Sequence, residues 1–506
     1  MENKVERIGA LSVAHKDGSA EYLLSDYEED IKRILYTDVR LVPSGCFGAS
    51  GNMTAIGSVE YRVVYLSVGE GLGGVTFTTD YEIPISCSDE TAKGECTVEL
   101  LASSVRPLSG RRLQGKYTLA ARYACKVEED LTPTGDAMEE EGCVLLSRKI
   151  KVPVVDTVSA EEREYAEVLC KSRREGKYLF SDADCRVERI AEANGGYVVS
   201  GTVTVSALAD REEEGVCTEE VKIPFEEFVV CENMSVGARV CGACHLKSLV
   251  LNEHAEEEGF VCVASAICRL ELKILREESC TLIRDLYSTE RALEVSYRDV
   301  CYPTDASMHR VDFSVEHKVK REAMETPEMN EILLCRADLR QTTYLADADG
   351  MHLDAEASVT VLGCSTKEDG TRSFCRHVER IPVRALAPMS GLSSDTKLTP
   401  VASGTKCRAV FDGDTLEISL EHPCTMLGMR EENARAVTHA QSGEMLTRER
   451  AEDELWVLYP DSNLWDTAKR HHLSLEKVCA DNSISIGEKE ADAPELLSGI
   501  PCLWIE

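Results

Sequence analysis

The sequence has few of the features that mark exported, membrane-bound or nucleic-acid-binding proteins. Its 506 residues include 56 basic and 90 acidic side chains, so the formal net charge is −34. Such a surface repels nucleic acid and anionic membranes, which excludes both as expected partners. No stretch approaches the roughly 18 continuous apolar residues of a membrane span, and Met1 to Asp26 contain no signal-peptide pattern. We therefore expect a cytoplasmic protein that does not insert into a membrane.

Catalytic patterns are also missing. The chain contains no H-E-x-x-H, P-loop or Ser-His-Asp signature. Because catalysis needs titratable groups gathered in a pocket, the sequence predicts a protein that is not an enzyme and that needs no cofactor or metal.

Cysteine, by contrast, is abundant. The 22 cysteines are scattered and lie mostly in apolar runs such as Val261-Cys262-Val263. Without export they are expected to remain thiols, acting as small buried hydrophobic side chains. Cys241-Gly242-Ala243-Cys244-His245 spells the C-x-x-C-H of haem attachment, but it lies between alternating runs and has no partner C-x-x-C, which favours a structural role.

Two further local patterns have both a functional and a structural interpretation. Gly69 to Gly74 fits the dinucleotide pattern G-x-G-x-x-G, yet a strand-like run follows it where a helix is required, so a hairpin turn is predicted. Asp347-Ala348-Asp349-Gly350 resembles the start of a calcium loop without its later ligands, and a turn between strands is predicted.

Three similar hairpins recur along the chain. Each has a period-2 run, a turn and a second period-2 run that closes on Ile-Pro-apolar, at Pro84, Pro224 and Pro382. Proline there should lie at a strand end or on a sheet edge. From Ile31 to Met329 is 298 residues, the same offset as from Pro84 to Pro382. Agreement of two markers predicts true domain repeats.

The last fifty residues have a different pattern. Short alternating runs (Val457 and Tyr459; Ile500, Cys502 and Trp504) flank two helical patterns. Leu464 and Ala468 stand one turn apart, and Ser474 can cap a second helix that buries Leu475 and Val478 and stops near Asn482. This predicts a β-α-α-β module. Trp465 is expected to pack in its core, and Arg470-His471-His472 to end its first helix.

These segments resemble two known families. The opening Leu24-Ser25-Asp26-Tyr27 with Asp30-Ile31 and Arg33-Ile34-Leu35 is similar to that of SPOCS-domain proteins from spore-forming Firmicutes, and Arg284-Asp285-Leu286-Tyr287-Ser288 resembles the element that follows a SPOCS repeat. Asp461-Ser462, Leu464-Trp465, Ala468-Lys469, Ser474, Asn482 and Leu497-Ser498-Gly499 follow LysM order.

The resemblance implies a mainly β, multidomain chain. The expected units are SPOCS-like domains at 21–155, 156–292 and 293–440, a linker at 441–452 and a LysM-like module at 453–506. Within the second unit, Ser159-Ala160-Glu161-Glu162 is a capping box that predicts a helix with Tyr165, Val168 and Leu169 on its apolar face.

Two functions follow from the resemblance. In the first, the chain is a non-catalytic scaffold of the spore envelope on the mother-cell side of the forespore surface, and its LysM module docks on the coat ATPase SpoIVA while the repeats hold other coat proteins. In the second, the module binds peptidoglycan through N-acetylglucosamine. The loop Pro460 to Asn463 departs from the usual LysM pattern, and the export signal is missing. Both observations favour the scaffold. In either case the expected contacts are Asp461, Ser462, Leu464, Asn482 and Ile484.

Overall fold

A computed structural model gives the fold of the chain. It describes all residues except 1–2, 50, 87–92, 212–214, 233, 235–236, 258, 368–369, 448–455, 487–490, 499 and 506. The described chain is mainly β and forms several antiparallel sheets, as the alternating sequence runs predict. None of its helices is long and apolar enough to cross a membrane.

The first sandwich packs two three-stranded sheets face to face. Their strand orders are β2-β3-β4 and β1-β6-β5. Its core is rich in aromatic rings, and Tyr61 stacks on Phe77 with ring centroids 4.9 Å apart. The strands are β1 Lys4–Leu23, β2 Ile31–Ala49, β3 Asn52–Ser67, β4 Leu72–Ser86, β5 Lys93–Ser109 and β6 Arg112–Asp130.

The second sandwich repeats this plan with a longer inner strand. One sheet has the order β9-β10-β11, and in the other β13 pairs with β12, β7 and β8. Its strands are β7 Cys143–Ser159, β8 Arg163–Ser172, β9 Gly176–Ala193, β10 Gly196–Arg211, β11 Gly215–Val230, β12 Arg239–Glu256 and β13 Gly259–Ser288.

The third sandwich has the orders β15-β16-β17 and β14-β20-β18, with β19 also paired to β20. Its strands are β14 Arg291–Lys320, β15 Glu331–Ala346, β16 Gly350–Thr366, β17 Arg372–Pro388, β18 Lys397–Ser403, β19 Lys406–Asp412 and β20 Thr415–Met445. Pro84, Pro224 and Pro382 lie on the edge strands β4, β11 and β17, as predicted for a residue without a backbone donor.

The three sandwiches share one apolar centre. Equivalent residues of each repeat meet there: Leu35 with Tyr36, Leu179 with Phe180, and Leu333 with Leu334. Leu35 and Leu333 are 298 residues apart, the offset of the sequence markers. A second shared cluster joins the far ends of β1, β7, β13, β14 and β20 around Val5, Ile150, Leu282 and Val300.

A neutral ionic network lies beside the shared centre. Arg62 is 7% exposed and pairs with Asp38 and with Asp182, whose Oδ1 lies 3.1 Å from the arginine Nη1. Arg336 completes the network at 3.5 Å from Asp182. Asp38, Asp182 and Arg336 occupy equivalent positions in the three repeats, so the repeats contribute opposite charges to one site.

Several sequence-based boundaries are corrected. Residues 163–172 are the strand β8 and not a helix, because pairing with β13 outweighs the local capping box. Strand β20 continues through Met445 against β14, so the first five residues of the expected linker are sheet. Strands β1 and β7 begin before residues 21 and 156, the expected starts of the first two units, and pair with β6 and β13.

The ambiguous motifs resolve as turns and strands. The glycine-rich stretch is the β3–β4 hairpin turn, closed by a hydrogen bond from the Ser67 amide to the Gly71 carbonyl. Asp347 accepts hydrogen bonds from the amides of Asp349 and Gly350 in the β15–β16 turn. The C-x-x-C-H stretch lies within β12.

Candidate functional site

The C-terminal module has the predicted β-α-α-β order. It contains β21 Trp456–Leu458, α1 Leu464–Arg470, α2 Leu475–Asp481 and β22 Leu503–Ile505, and β21 pairs antiparallel with β22. The Asn463 side chain caps α1 by accepting from the Asp466 amide at 2.8 Å, and Ser474 caps α2 from the Lys477 amide at 3.4 Å. The small core joins the helices to the sheet through Leu464, Val478, Leu496, Leu497, Leu503 and Ile505.

The five expected contact residues lie around α1 and the end of α2, where they make intramodular contacts. Asp461 pairs with Arg470 at 2.7 Å, and the exposed Ser462 hydroxyl donates to Asp466 at 3.0 Å. Leu464 has no exposed surface because it packs in the module core, so in this conformation it can only support a binding surface from below.

The other two residues fix the last strand. The Asn482 amide nitrogen donates to the Trp504 carbonyl, and its oxygen accepts from the Trp504 amide, both at 2.7 Å. Ile484 is partly buried against the module core. Asn482 thus positions β22, and a binding role for the five residues stays a prediction.

An aromatic face lies on the outside of the β21–β22 sheet, where the sequence predicts only two short alternating runs. Val457 is paired directly with Trp504 across the two strands, and the exposed Tyr459 follows immediately after β21. Their side chains are 47%, 47% and 83% exposed, respectively. The alternation was recognised in the sequence, but period 2 alone does not say which set faces the core; here Leu458 and Leu503 do.

The opposite side of the module rests on the second sandwich. The Trp465 ring is 1% exposed and meets the Tyr287 ring edge-on at 5.0 Å, with Leu146 and Ala468 beside them. Trp465 is therefore buried as predicted, but in the junction between module and sandwich rather than in the module core.

The Asp285 carboxylate makes the most hydrogen bonds across this junction among the described residues. Asp285 on β13 accepts from the Trp465 indole nitrogen at 2.9 Å and from the Lys469 ammonium at 2.6 and 2.7 Å. The Tyr297 hydroxyl also donates to it at 2.6 Å. Burial alone would raise the pKa of Asp285, but the hydrogen bonds from Lys469, Tyr297 and Trp465 outweigh it and hold this pKa below its usual value.

Neighbours of Asp285 complete the junction. The Tyr287 hydroxyl donates to the Leu473 carbonyl at 2.8 Å, and Arg284 pairs with Asp492 at 2.9 Å. His472 Nδ1 lies 2.9 Å from the Ser288 carbonyl, so the histidines at the end of α1 include one junction contact. The segment Arg284 to Ser288, noted in the sequence only for its family resemblance, thus forms the surface on which the module docks.

A polar cleft of about 830 Å³ opens between the module and the long strands. Its lining mixes cations and anions, among them Arg148, Arg435, Glu432 and Asp466. Because neither sign of charge dominates, the cleft does not indicate one class of charged ligand.

Comparison with known proteins adds no assignment. No protein-family model, no curated protein and no solved structure matches this chain.

Proposed function

We propose that this protein is a non-catalytic scaffold of the bacterial spore envelope, and that its C-terminal module docks on a SpoIVA-like coat ATPase. The order of parts in the sequence is similar to that of SipL, a spore-coat morphogenetic protein with SPOCS repeats and a terminal LysM module. In this proposal the chain acts on the mother-cell side of the forespore surface, and the three repeats bind other coat components.

The observation that carries the proposal is the orientation of the module. The face that carries Trp465 is buried in the junction with the second sandwich. Val457, Tyr459 and Trp504 are instead exposed to solvent. Exposed tryptophan and tyrosine are the residues that most often dominate protein interfaces. The shared cores between the sandwiches provide a single body on which such a face can be held.

The same aromatic face supports a second candidate, peptidoglycan binding. The flat rings of Trp504 and Tyr459 can stack on the apolar face of a sugar such as N-acetylglucosamine. The two candidates differ in ligand but share the residues that would make contact.

The test uses the full chain with Trp504→Ala and Tyr459→Ala. Tyr27→Ala is the matched control, because this ring is 88% exposed on the first sandwich, far from the module in the sequence. Binding to the purified coat ATPase is measured by interferometry, and binding to purified peptidoglycan by co-sedimentation. We expect the ATPase to bind and Trp504→Ala to weaken it by about 30-fold, a loss of about 2 kcal/mol.

Three outcomes would contradict the scaffold proposal or the contact surface it uses. Retention on peptidoglycan that is lost in Trp504→Ala, without ATPase binding, would favour the glycan candidate. Failure to bind either ligand, or equal weakening by Tyr27→Ala, would reject the aromatic face as the contact surface.

A further inference from the structure

Three cysteine side chains from three strands meet between the two sheets of the second sandwich. Cys185 lies on β9 in one sheet, and Cys244 and Cys268 lie on β12 and β13 in the other. Their sulfur atoms all lie within 4.8 Å of one another, and Cys185 Sγ is 3.5 Å from Cys268 Sγ. The cluster therefore bridges the two sheets at one point.

The strand register explains why these three sulfurs converge. Cys244 pairs with Leu270 and Cys268 with Leu246, so the two cysteines are diagonal neighbours on one face of the sheet. Cys241 is three residues from Cys244 and so points to the opposite face. The C-x-x-C-H motif of the sequence thus contributes one sulfur to the cluster and does not act as a chelating pair.

We propose that Cys185, Cys244 and Cys268 bind one Cu(I) ion in three-coordinate sulfur geometry. A metal–thiolate bond of about 2.3 Å places three ligands of a trigonal centre about 4.0 Å apart, which the present separations nearly match. Thiolates are the ligands preferred by soft Cu(I). Among the residues that the structure describes, no further Cys, His, Asp or Glu joins the group, whereas structural zinc sites use four ligands.

The site lies at one edge of the sandwich, between the edge strands β9 and β12. Cys185 and Cys244 are partly exposed, and β12 is an edge strand, whereas Cys268 is 1% exposed. The 3.5 Å sulfur separation is well beyond a disulfide bond of about 2.05 Å, so the ligands are present as thiols. Binding replaces thiol protons with the metal, and those protons are released to solvent.

The experiment titrates Cu(I) into the full reduced chain under anaerobic conditions, against a chromogenic Cu(I) chelator that removes weakly held metal. X-ray absorption of the loaded protein then reports the ligand shell. We expect one retained ion with three sulfurs at about 2.3 Å. Cys244→Ser should lower the affinity by more than about tenfold, because even changes outside the ligand shell cost about 10- to 100-fold.

Cys335→Ser is the matched control. Its sulfur lies 3.1 Å from Cys407 in the third sandwich, where only two sulfurs meet in the described structure, so it should leave the high-affinity ion in place. Circular dichroism of each variant without metal establishes that it is folded, and Cys185→Ser provides a second variant of the site. Absence of a retained ion, equal retention in folded Cys244→Ser, or a four-ligand shell would overturn the proposal.

Discussion

Replacing Asp285 with asparagine should weaken the docking of the C-terminal module on the second sandwich without unfolding the sandwiches. Asparagine keeps the shape of the side chain but removes the charge that the Lys469 ammonium faces at 2.6 and 2.7 Å. In the native protein, donors that include the Trp465 indole and the Tyr297 hydroxyl share the two carboxylate oxygens. The asparagine leaves them only one acceptor oxygen.

The expected magnitude follows from the exposure of the pair. A hydrogen bond to a charged group contributes about 1.5–3 kcal/mol. The Lys469 side chain is 35% exposed and that of Asp285 19%, so solvent screens part of the attraction. We expect a loss of about 2 kcal/mol from docking, which lowers the docking equilibrium constant by about 30-fold.

The assay makes Trp465 the only tryptophan, and its emission is excited selectively over that of the 16 tyrosines. The chain has three tryptophans, and Trp456→Phe with Trp504→Phe removes the other two. Trp465 is 1% exposed when docked, so its emission should be blue-shifted and protected from acrylamide. Asp285→Asn should shift the emission to the red and increase quenching, while the circular dichroism of the sandwiches stays unchanged.

Asp305→Asn is the control, because Asp305 is an exposed carboxylate that pairs with Arg430 in the third sandwich. A double-mutant cycle of Asp285→Asn with Lys469→Met measures the coupling directly. Unchanged Trp465 fluorescence in Asp285→Asn, or a coupling energy near zero, would refute the assignment of Asp285 as the anchor.

Three further predictions address pH, charge and packing. Because the folded pKa of Asp285 lies below the usual value of about 3.9, docking should be fully stabilised above that pH and lost as pH falls through the lower folded pKa; the Trp465 fluorescence should follow this, and a transition centred near neutral pH would contradict it. Arg62→Met should lower the free energy of unfolding in urea by about 3–5 kcal/mol because Asp38 loses the arginine it pairs with and Asp182 keeps only Arg336, whereas Arg384→Ala, whose side chain is 83% exposed, should change it little; equal effects would count against the network. Gly74→Ala should destabilise the joint between the first two sandwiches by about 1–3 kcal/mol, since its Cβ would lie 2.0 Å from a backbone oxygen, and Gly45→Ala, with open space around it, should be tolerated; a neutral Gly74→Ala in the same urea assay would show that the joint can shift.

The repeats could be predicted from sequence because each strand carries its own signal. Alternation marks the strands, and the prolines mark the sheet edges, so both survive without knowledge of the partners. The predicted helix after Ser159 failed for the opposite reason. Its capping box is a local signal, whereas the pairing of β8 with β13 depends on residues about a hundred positions away.

The junction could be predicted only in part. The helices of the module and their caps Asn463 and Ser474 lie close to where the pattern placed them, although Asn463 was not identified as a cap. The side of α1 that contacts the sandwich depends on how the module is placed against the distant strand β13. The hydrophobic periodicity of α1 carries no information about that placement. Asp285 and Trp465 are 180 residues apart in sequence, and their hydrogen bond appears only in the folded chain.

The second and third repeats nevertheless differ at the position that binds the module. Strands β13 and β20 occupy equivalent places, and their register shifts skip Arg284 and Thr438, which makes Asp285 equivalent to His439. A histidine at this position does not provide the carboxylate that Trp465 and Lys469 require. His439 is instead engaged by Thr134, whose hydroxyl lies 3.0 Å from its Nδ1, so the connection between the first two sandwiches already covers the third repeat. Divergence at one position of the repeat, together with this internal cover, explains why the module docks on the second sandwich and why its aromatic face has one fixed direction.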